Sequence, residues 1–442
     1  MQNKILINLQ TVSQLQKGEL KGAVSVKISE NLTEFPVELF ELEDTLEYLD
    51  LSSNKLSNLP DDFYRFKSLR IFFASDNLFT TYPEVLGRCD ALDIVGFKSN
   101  NIKVIPTSGL HPNLRWLILT GNKIEALPPS IGNCKRMQKL MLAGNQLTSL
   151  PETLANCSNL SLLRIAANRI TELPEWLLGM PNLAWLAFSG NHFKQDFTFA
   201  DAQELNFEQF NLKELLGEGA SGTIYKAERS NGDAITNVAV KIFKGNVTSD
   251  GYPDDEMNAY IAAGSHPALV GLVGKVNFSK EKKRGIVMNL ITEDFFNLGA
   301  PPSLESCTRD IFNNGIGLSK LQVLKVASSM ASVAQQLHAR GIIHGDLYAH
   351  NILINENGET LFGDFGAASF YDKNNAVVSF YLEKIEVKAY GYLLDDLLSI
   401  CLEKESPSLV ELAKLRDLCL SSQHAERPGF DEIVENLAAL SD

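Results

Sequence analysis

The chain has 442 residues, 45% of them hydrophobic, with a formal charge of −14. That apolar content fills two or three cores and excludes a disordered chain, and the negative balance excludes a nucleic acid or an anionic membrane surface as main partner, because phosphate backbones need a basic face. Cys89, Cys134, Cys157, Cys307, Cys401 and Cys419 form no C-x-x-C pair and follow no secretory leader, and no stretch is apolar enough to span a bilayer, so reduced thiols in a cytoplasmic protein are expected.

From the N-terminus, Ala23, Val26, Ile28 and Asn31 hint at a period that then becomes strict. Asn54, Asn77, Asn100, Asn122, Asn145, Asn168 and Asn191 recur every 23 residues with one step of 22, each closing an L-x-x-L-x-L-x-x-N pattern. A second column, Pro60, Pro83, Pro106, Pro128, Pro151 and Pro174, follows six residues behind, where a rigid turn leads off a strand and no ladder N–H is needed. Self-similarity at this period predicts a stacked array with a continuous core, its Asn side chains satisfying the backbone of adjoining loops. Cys89, Cys134 and Cys157 share one column and read as small core residues. The seven repeats resemble the leucine-rich repeat family over residues 23–193, preceded by a degenerate cap that the first twenty residues extend over the open end of the core. On the concave face, Tyr48, Phe73, Trp116 and Trp185 make an unusually apolar stripe. Such stripes mark binding surfaces, so a partner protein, or the chain's own second domain, is expected to dock there. The alternative is that these rings pack only on one another.

After residue 206 the period vanishes. Leu216-Gly217-Glu218-Gly219-Ala220-Ser221-Gly222-Thr223-Ile224 is a small-residue loop whose N–H groups can close over phosphates, and Val238-Ala239-Val240-Lys241 follows as a short strand ending in a cation. Further on stands His344-Gly345-Asp346-Leu347-Tyr348-Ala349-His350-Asn351, and thirteen residues later Asp364-Phe365-Gly366. A carboxylate to orient an acceptor hydroxyl, and an amide with a second carboxylate to hold magnesium, are what phosphoryl transfer requires; Asp346, Asn351 and Asp364 fill those places.

These motifs, in this order, resemble the eukaryotic-type protein kinases over nearly all of residues 207–442. Cys419-Leu420 and Arg427 to Ile433 are similar to the closing helices of the tyrosine-kinase-like group. The resemblance implies an α/β plus α+β chain: a leucine-rich-repeat solenoid over residues 1–205, then a two-lobed kinase fold over residues 206–442, as in bacterial cytosolic repeat kinases. It implies ATP and Mg²⁺, with Asp346, Lys241 and Asn351 catalytic and Asn351 and Asp364 on the metal. ATP would be held by Gly217, Gly219, Ser221, Gly222, Ile224, Ala239, Lys241, Glu256, Met288, Leu290 and Leu353. Within that set Glu256 pairs with Lys241, Asp255 being the alternative, and Met288 guards the adenine pocket.

Three departures qualify the expectation. Gly345 stands where an arginine usually precedes the base, so no cation there can pair with a phosphorylated loop. Tyr348 and His350 stand where a lysine or arginine is usual, which weakens charge neutralisation at the γ-phosphate. The segment from Asp364 to a large helix around Glu386 to Gly391 is short and lacks Ala-Pro-Glu, with Glu383 expected to pair with Arg427. Ser369, Tyr371, Ser379 and Tyr381 lie in it as candidate autophosphorylation sites. The leading expectation is an ATP-dependent protein kinase, for Ser/Thr or Tyr, whose repeats recruit a partner or regulate catalysis. A repeat scaffold that binds ATP without efficient transfer is the alternative, and a small-molecule phosphotransferase a third reading.

Overall fold

The computed structural model describes residues 9–193, 202–219, 221–232, 234–244, 247–248, 250–278, 283–313 and 315–440. The chain divides into two compact units. One holds residues 1–163, 168–180 and 191–193; the other holds 164–167, 181–190 and 194–442.

The repeat strands are three residues each: β1 Ser25–Lys27, β2 Tyr48–Asp50, β3 Ile71–Phe73, β4 Ile94–Gly96, β5 Trp116–Ile118, β6 Lys139–Met141, β7 Leu162–Arg164 and β8 Trp185–Ala187. They follow chain order in one sheet, and the pairing is parallel wherever successive strands from β1 to β6 meet. The central residue of each, from Val26 through Phe72 and Leu117 to Leu186, is fully buried. This inward column is the apolar period made physical. The residue before each ladder asparagine (Ser53, Asp76, Ser99, Gly121, Gly144, Ala167, Gly190) takes left-handed backbone, which turns the chain off the strand. The asparagine then satisfies the bend. Asn54 Oδ1 accepts from the N–H of Glu30 and of Leu32, both at 3.0 Å, and its Nδ2 donates to the carbonyls of Ile28 (2.8 Å) and Leu51 (2.9 Å). Short helical turns start directly after Pro83, Pro128, Pro151 and Pro174, the last being α2 Glu175–Leu178. At the open end, α1 Val12–Gln16 buries Leu15, and Gln10 exchanges bonds with Lys27 through both backbone and side chain; residues 1–8 of the expected cap lie outside the described residues.

In the second unit, β9 Glu204–Leu205, β10 Phe210–Glu218, β11 Gly222–Asn231, β12 Ala234–Phe243, β13 Leu272–Phe278 and β14 Lys283–Asn289 build a sheet in the order β10-β11-β12-β14-β13-β9. Alternating apolar residues of these strands, Ala227, Val238, Val240, Val276 and Val287, form its core with Leu205 and Phe210. Helix α3, Pro253–Ala263, begins on a proline at its first position with Asp254, Asp255 and Glu256 in its first turn, where acids favour the helix dipole. The helical part comprises α4 Lys320–Ala339, α5 Ala376–Ile400, α6 Pro407–Cys419 and α7 Phe430–Ala438. The short strands β15 Phe296–Asn297, β17 Ile352–Ile354 and β18 Thr360–Phe362 form one small sheet. Strand β16 Ile342–Ile343 pairs with β19 Ser369–Phe370.

Helix α5 corrects one expectation. It starts ten residues before Glu386, because the side chain of Asn375 accepts from the N–H of Val378 and caps it there. Ser379 and Tyr381 therefore sit in its first turns rather than in a loop. The cysteines are as expected: all six are buried free thiols, and burial pushes Cys89 and Cys157 up to about 12 and Cys134 up to about 11.

Candidate active site

The antiparallel register of β11 and β12 sets Ile224 beside Lys241, while β12 and β14 set Ala239 beside Met288. Gly219, Ser221, Gly222, Ile224, Lys241, Asp250, Asp364 and Gly366 line one cavity of about 130 Å³. At the tip of the small-residue loop the N–H of Gly219 donates to the carbonyl of Gly222 (2.9 Å). A Cβ on Gly222 would come within 2.7 Å of the Ile242 carbonyl oxygen, so a side chain is excluded there; Gly217 and Gly219 face open space. Ala239 and Met288 are both buried. Leu290 lines a different cavity, of about 330 Å³, beside Val270 and Phe295. Leu353, half-buried on β17, pairs across to Leu361.

Lys241 pairs directly with Glu256, not Asp255, and lies 3.9 Å from Asp364 Oδ1. Burial works against the lysine's charge, but Glu256 and then Asp364 outweigh it and hold its pKa above the ordinary value. Burial pushes Glu256 up to about 7 against the pull of Lys241. The two charges are thus affordable only together.

Asp346 lies on the loop between β16 and β17. One oxygen accepts from Asn351 Nδ2 at 2.9 Å, and the other is paired with the guanidinium of Arg164. Burial would raise its pKa, but Arg164, His350 and the Asn351 bond hold it below the usual carboxylate range. Asn351 Nδ2 also donates to the Asp346 carbonyl at 2.9 Å, so its amide oxygen is the atom left for a cation. Asp364 takes left-handed backbone, accepts from the N–H of Gly366 at 3.3 Å and keeps its side chain 57% exposed. Phe365 behind it is fully buried, edge-on to Tyr260 (4.8 Å) and near His344 (5.1 Å), which anchors the turn. One amide oxygen and one exposed carboxylate are hard donors that suit Mg²⁺, an ion that usually takes one or two protein ligands and completes its shell with phosphate oxygens and water. Among the described residues no cluster of three or more His, Cys, Asp or Glu could hold a metal unaided.

The departures in the loop have structural causes. Gly345 takes φ +72°, and a Cβ there would lie 2.6 Å from the Leu186 carbonyl oxygen and 2.9 Å from that of Ala367. No arginine could occupy it. Its N–H donates to Glu386 (2.8 Å), which also receives His338 (2.8 Å); this buried acid fixes the loop from behind, and sequence reasoning took it only as part of the large helix. His350 contacts Asp310 at 2.7 Å. Burial disfavours its charge, but the Asp310 bond outweighs that and raises its pKa, so the position can carry a positive charge after all.

Several expectations fail here. Arg427 donates to the carbonyls of Ser421 (2.9 Å), Lys384 (2.9 Å) and Pro181 (2.7 Å), while Glu383 accepts from the N–H of Phe430 (2.9 Å). Three carbonyls satisfy the buried guanidinium, which leaves Glu383 to cap α7. Ser369 is fully buried, its hydroxyl accepting from the N–H groups of Phe188 and Ser189, and Tyr371 is buried against His338, so neither hydroxyl is open to modification. Trp185 is 1% exposed. It stacks on Tyr348 (4.4 Å, 7°) and Tyr392 (5.2 Å, 19°) within the second unit and offers no surface to a separate partner. Tyr48 and Phe73 touch edge-to-face at 5.9 Å and Lys139 lies 4.2 Å over Trp116, all three rings half-buried.

Residues 210–389 match the protein tyrosine and serine/threonine kinase family, and residues 45–66, 112–170 and 135–193 match leucine-rich repeat families. The chain is 31% identical over 171 residues to a probable serine/threonine-protein kinase of Encephalitozoon cuniculi, covering 38% of this chain and 29% of that protein. It is 31% identical over 153 residues to another of Dictyostelium discoideum (35% and 8%) and 29% identical over 206 residues to a rust resistance kinase of Triticum aestivum (46% and 30%). The matched region thus spans less than a third of each relative. A leucine-rich-repeat protein of Leptospira interrogans aligns in structure over 45% of this chain and 59% of its own, at 28% identity and a TM-score of 0.36. Among the described residues no helix is long and apolar enough to cross a membrane. The chain therefore carries leucine-rich repeats and a protein kinase domain of the tyrosine and serine/threonine class.

Proposed function

We propose that this chain is an ATP-dependent protein kinase. Asp346 orients the acceptor hydroxyl, Lys241 held by Glu256 receives the nucleotide phosphates under the loop from Gly217 to Gly222, and Asn351 with Asp364 holds Mg²⁺. Bound Mg²⁺ would neutralise phosphate charge; the residues themselves position the reactants, which is most of what phosphoryl transfer asks of a protein. Ile224, Ala239, Met288 and Leu353 would enclose the base, with Leu290 just outside that set. The observation that carries the reading is the convergence of the glycine-rich loop, the completed Lys241–Glu256 pair and Asp364 on one cavity. The repeats then serve protein recognition, with Tyr48, Phe73 and Trp116 as the apolar positions open to a partner.

The test is phosphate transfer from labelled ATP with Mg²⁺ by the full chain, beside Asp346→Asn. Label on the wild type that vanishes in the variant supports the kinase; label that persists in Asp346→Asn rejects the assignment of the base. A second reading, a scaffold that binds nucleotide without transfer, has one observation in its favour: both oxygens of Asp346 are already engaged. ATP binding with no transfer from any protein acceptor would select it.

A further inference from the structure

We infer that Arg164, at the end of repeat strand β7, is a positioning residue of the phosphoryl-transfer site, holding Asp346 and the Gly345 carbonyl where the loop's own sequence supplies no arginine or lysine. The inference rests on the kinase reading above.

Arg164 is 2% exposed, and each arm of its fork has an acceptor. Nε donates to Asp250 at 2.9 Å, Nη1 to the carbonyl of Gly345 at 2.9 Å, and Nη2 to Asp346 Oδ1. A guanidinium buried this far from water needs acceptors, and each of its three nitrogens has one. In its column of the repeat sheet the equivalents are Lys27, Asp50, Phe73, Gly96, Ile118, Met141 and Ala187; Lys27 is paired with Asp50 on the adjoining strand, whereas Arg164 stands between Met141 and Ala187, so nothing in the repeat architecture calls for a cation there. The loop does call for one. Gly345 has no room for a side chain, and Tyr348, the next place where a cation would be expected, is instead clamped under Trp185.

The contact belongs to a set. Within the second unit Trp185 Nε1 donates to the carbonyl of Leu347 (3.2 Å), the Leu186 carbonyl covers Gly345, and the N–H groups of Phe188 and Ser189 reach Ser369. Residues on both sides of Asp346 are therefore tied down, and Arg164 fixes Asp346 itself. With Asn351 on the opposite oxygen the carboxylate has one orientation, which is the preorganisation that an orienting base requires. Besides Arg164 and Asn351, which bond Asp346 directly, His344, His350 and Tyr348 act on it electrostatically.

The experiment uses the full-length chain, measuring kcat and the ATP KM for wild type, Arg164→Ala and Arg164→Lys, with thermal unfolding of each. The expected result is a kcat about a hundredfold lower in Arg164→Ala with the ATP KM unchanged, since misplacement of the base costs about that much, and an intermediate kcat in Arg164→Lys, which keeps the charge but not the fork. A residue that merely stabilised the fold would move the melting temperature and leave this split unseen. If Arg164→Ala does not fold, Arg164→Lys decides: a reduced kcat supports the assignment and a wild-type kcat overturns it. Unchanged kcat in a folded Arg164→Ala also overturns it, and a raised kcat overturns it in favour of an inhibitory latch on Asp346. No transfer by the wild type would instead remove the kinase reading itself.

Discussion

Gly345→Ala puts a single methyl where the backbone has no place for one. Left-handed backbone at a residue with a Cβ costs about 1–2 kcal/mol. The methyl would also stand 2.6 Å from the Leu186 carbonyl oxygen and 2.9 Å from that of Ala367, neither of which is a flexible side-chain end. Relieving such overlap costs about 1–3 kcal/mol more, so the sum is about 2–5 kcal/mol. If the whole cost falls on stability, the melting temperature drops by at least about 4 °C, at about 2–4 °C per kcal/mol for a unit of this size. If instead the loop shifts to make room, Asp346 moves with it and the transfer rate falls about tenfold for each 1.36 kcal/mol. Calorimetry and labelled-ATP transfer on the same preparation separate the two. Gly345→Arg, which writes the commoner His-Arg-Asp triplet, is expected to do worse than alanine. A Gly345→Ala protein that melts with the wild type and transfers phosphate at its rate would refute the steric account, and a gain of activity in Gly345→Arg would refute it more sharply.

Further outcomes follow from the same geometry. Asn122→Ala removes the acceptor for the N–H of Ile102 and one donor each from the carbonyls of Phe97 and Leu119, which keep second donors from Asn100 and Asn145. One orphaned N–H at full penalty and two weakened carbonyls come to about 3–4 kcal/mol, read by denaturant unfolding; a loss under about 1 kcal/mol would mean that water replaces the side chain. Lys241→Met strands Glu256 and should destabilise by about 3–5 kcal/mol, while Lys241→Met with Glu256→Leu recovers most of that stability without recovering nucleotide affinity. Equal stability of the single and double variants would contradict the paired burial. His424 is lowered to about 4 by burial, Arg427 and Lys388. Below about 6.5 the unfolded chain takes up a proton that the folded one refuses, so stability falls as pH drops from 6.5 to 4. His424→Gln should flatten that part of a melting-temperature profile, and an unaltered slope would assign it to another group.

The repeats were legible because their information is local: Asn54 to Asn191 and the prolines behind them recur at a period set by one turn of the array, and the bonds of the Asn ladder stay within a turn or join neighbouring turns. The glycine loop, Lys241, Asp346, Asn351 and Asp364 were legible for the opposite reason, being chemically specific at fixed spacings. What escaped was pairing at long range between residues ordinary in their own context. Arg164 reads as one more outward position of a strand, yet its partner lies 182 residues away. A signal was present: one cation with no acid beside it in its strand column, where Met141 and Ala187 flank it, and one missing cation in a loop. Glu386 escaped because a helix interior hides a buried acid, and the early start of α5 because Asn375 caps it where a loop was expected.

The asparagine ladder also bears on how such a gene can change length. Each asparagine clasps the backbone of the turn before it and the turn after it depends on the next, so a clasp spans 20 to 26 residues along the chain. An insertion or deletion of one whole period returns every clasp to an equivalent partner, whereas one of several residues short of a period leaves two turns with mismatched donors and acceptors at the junction. Copy number of the repeat is therefore open to drift by duplication, and the single 22-residue step at Asn122 marks how small a slip the ladder absorbs.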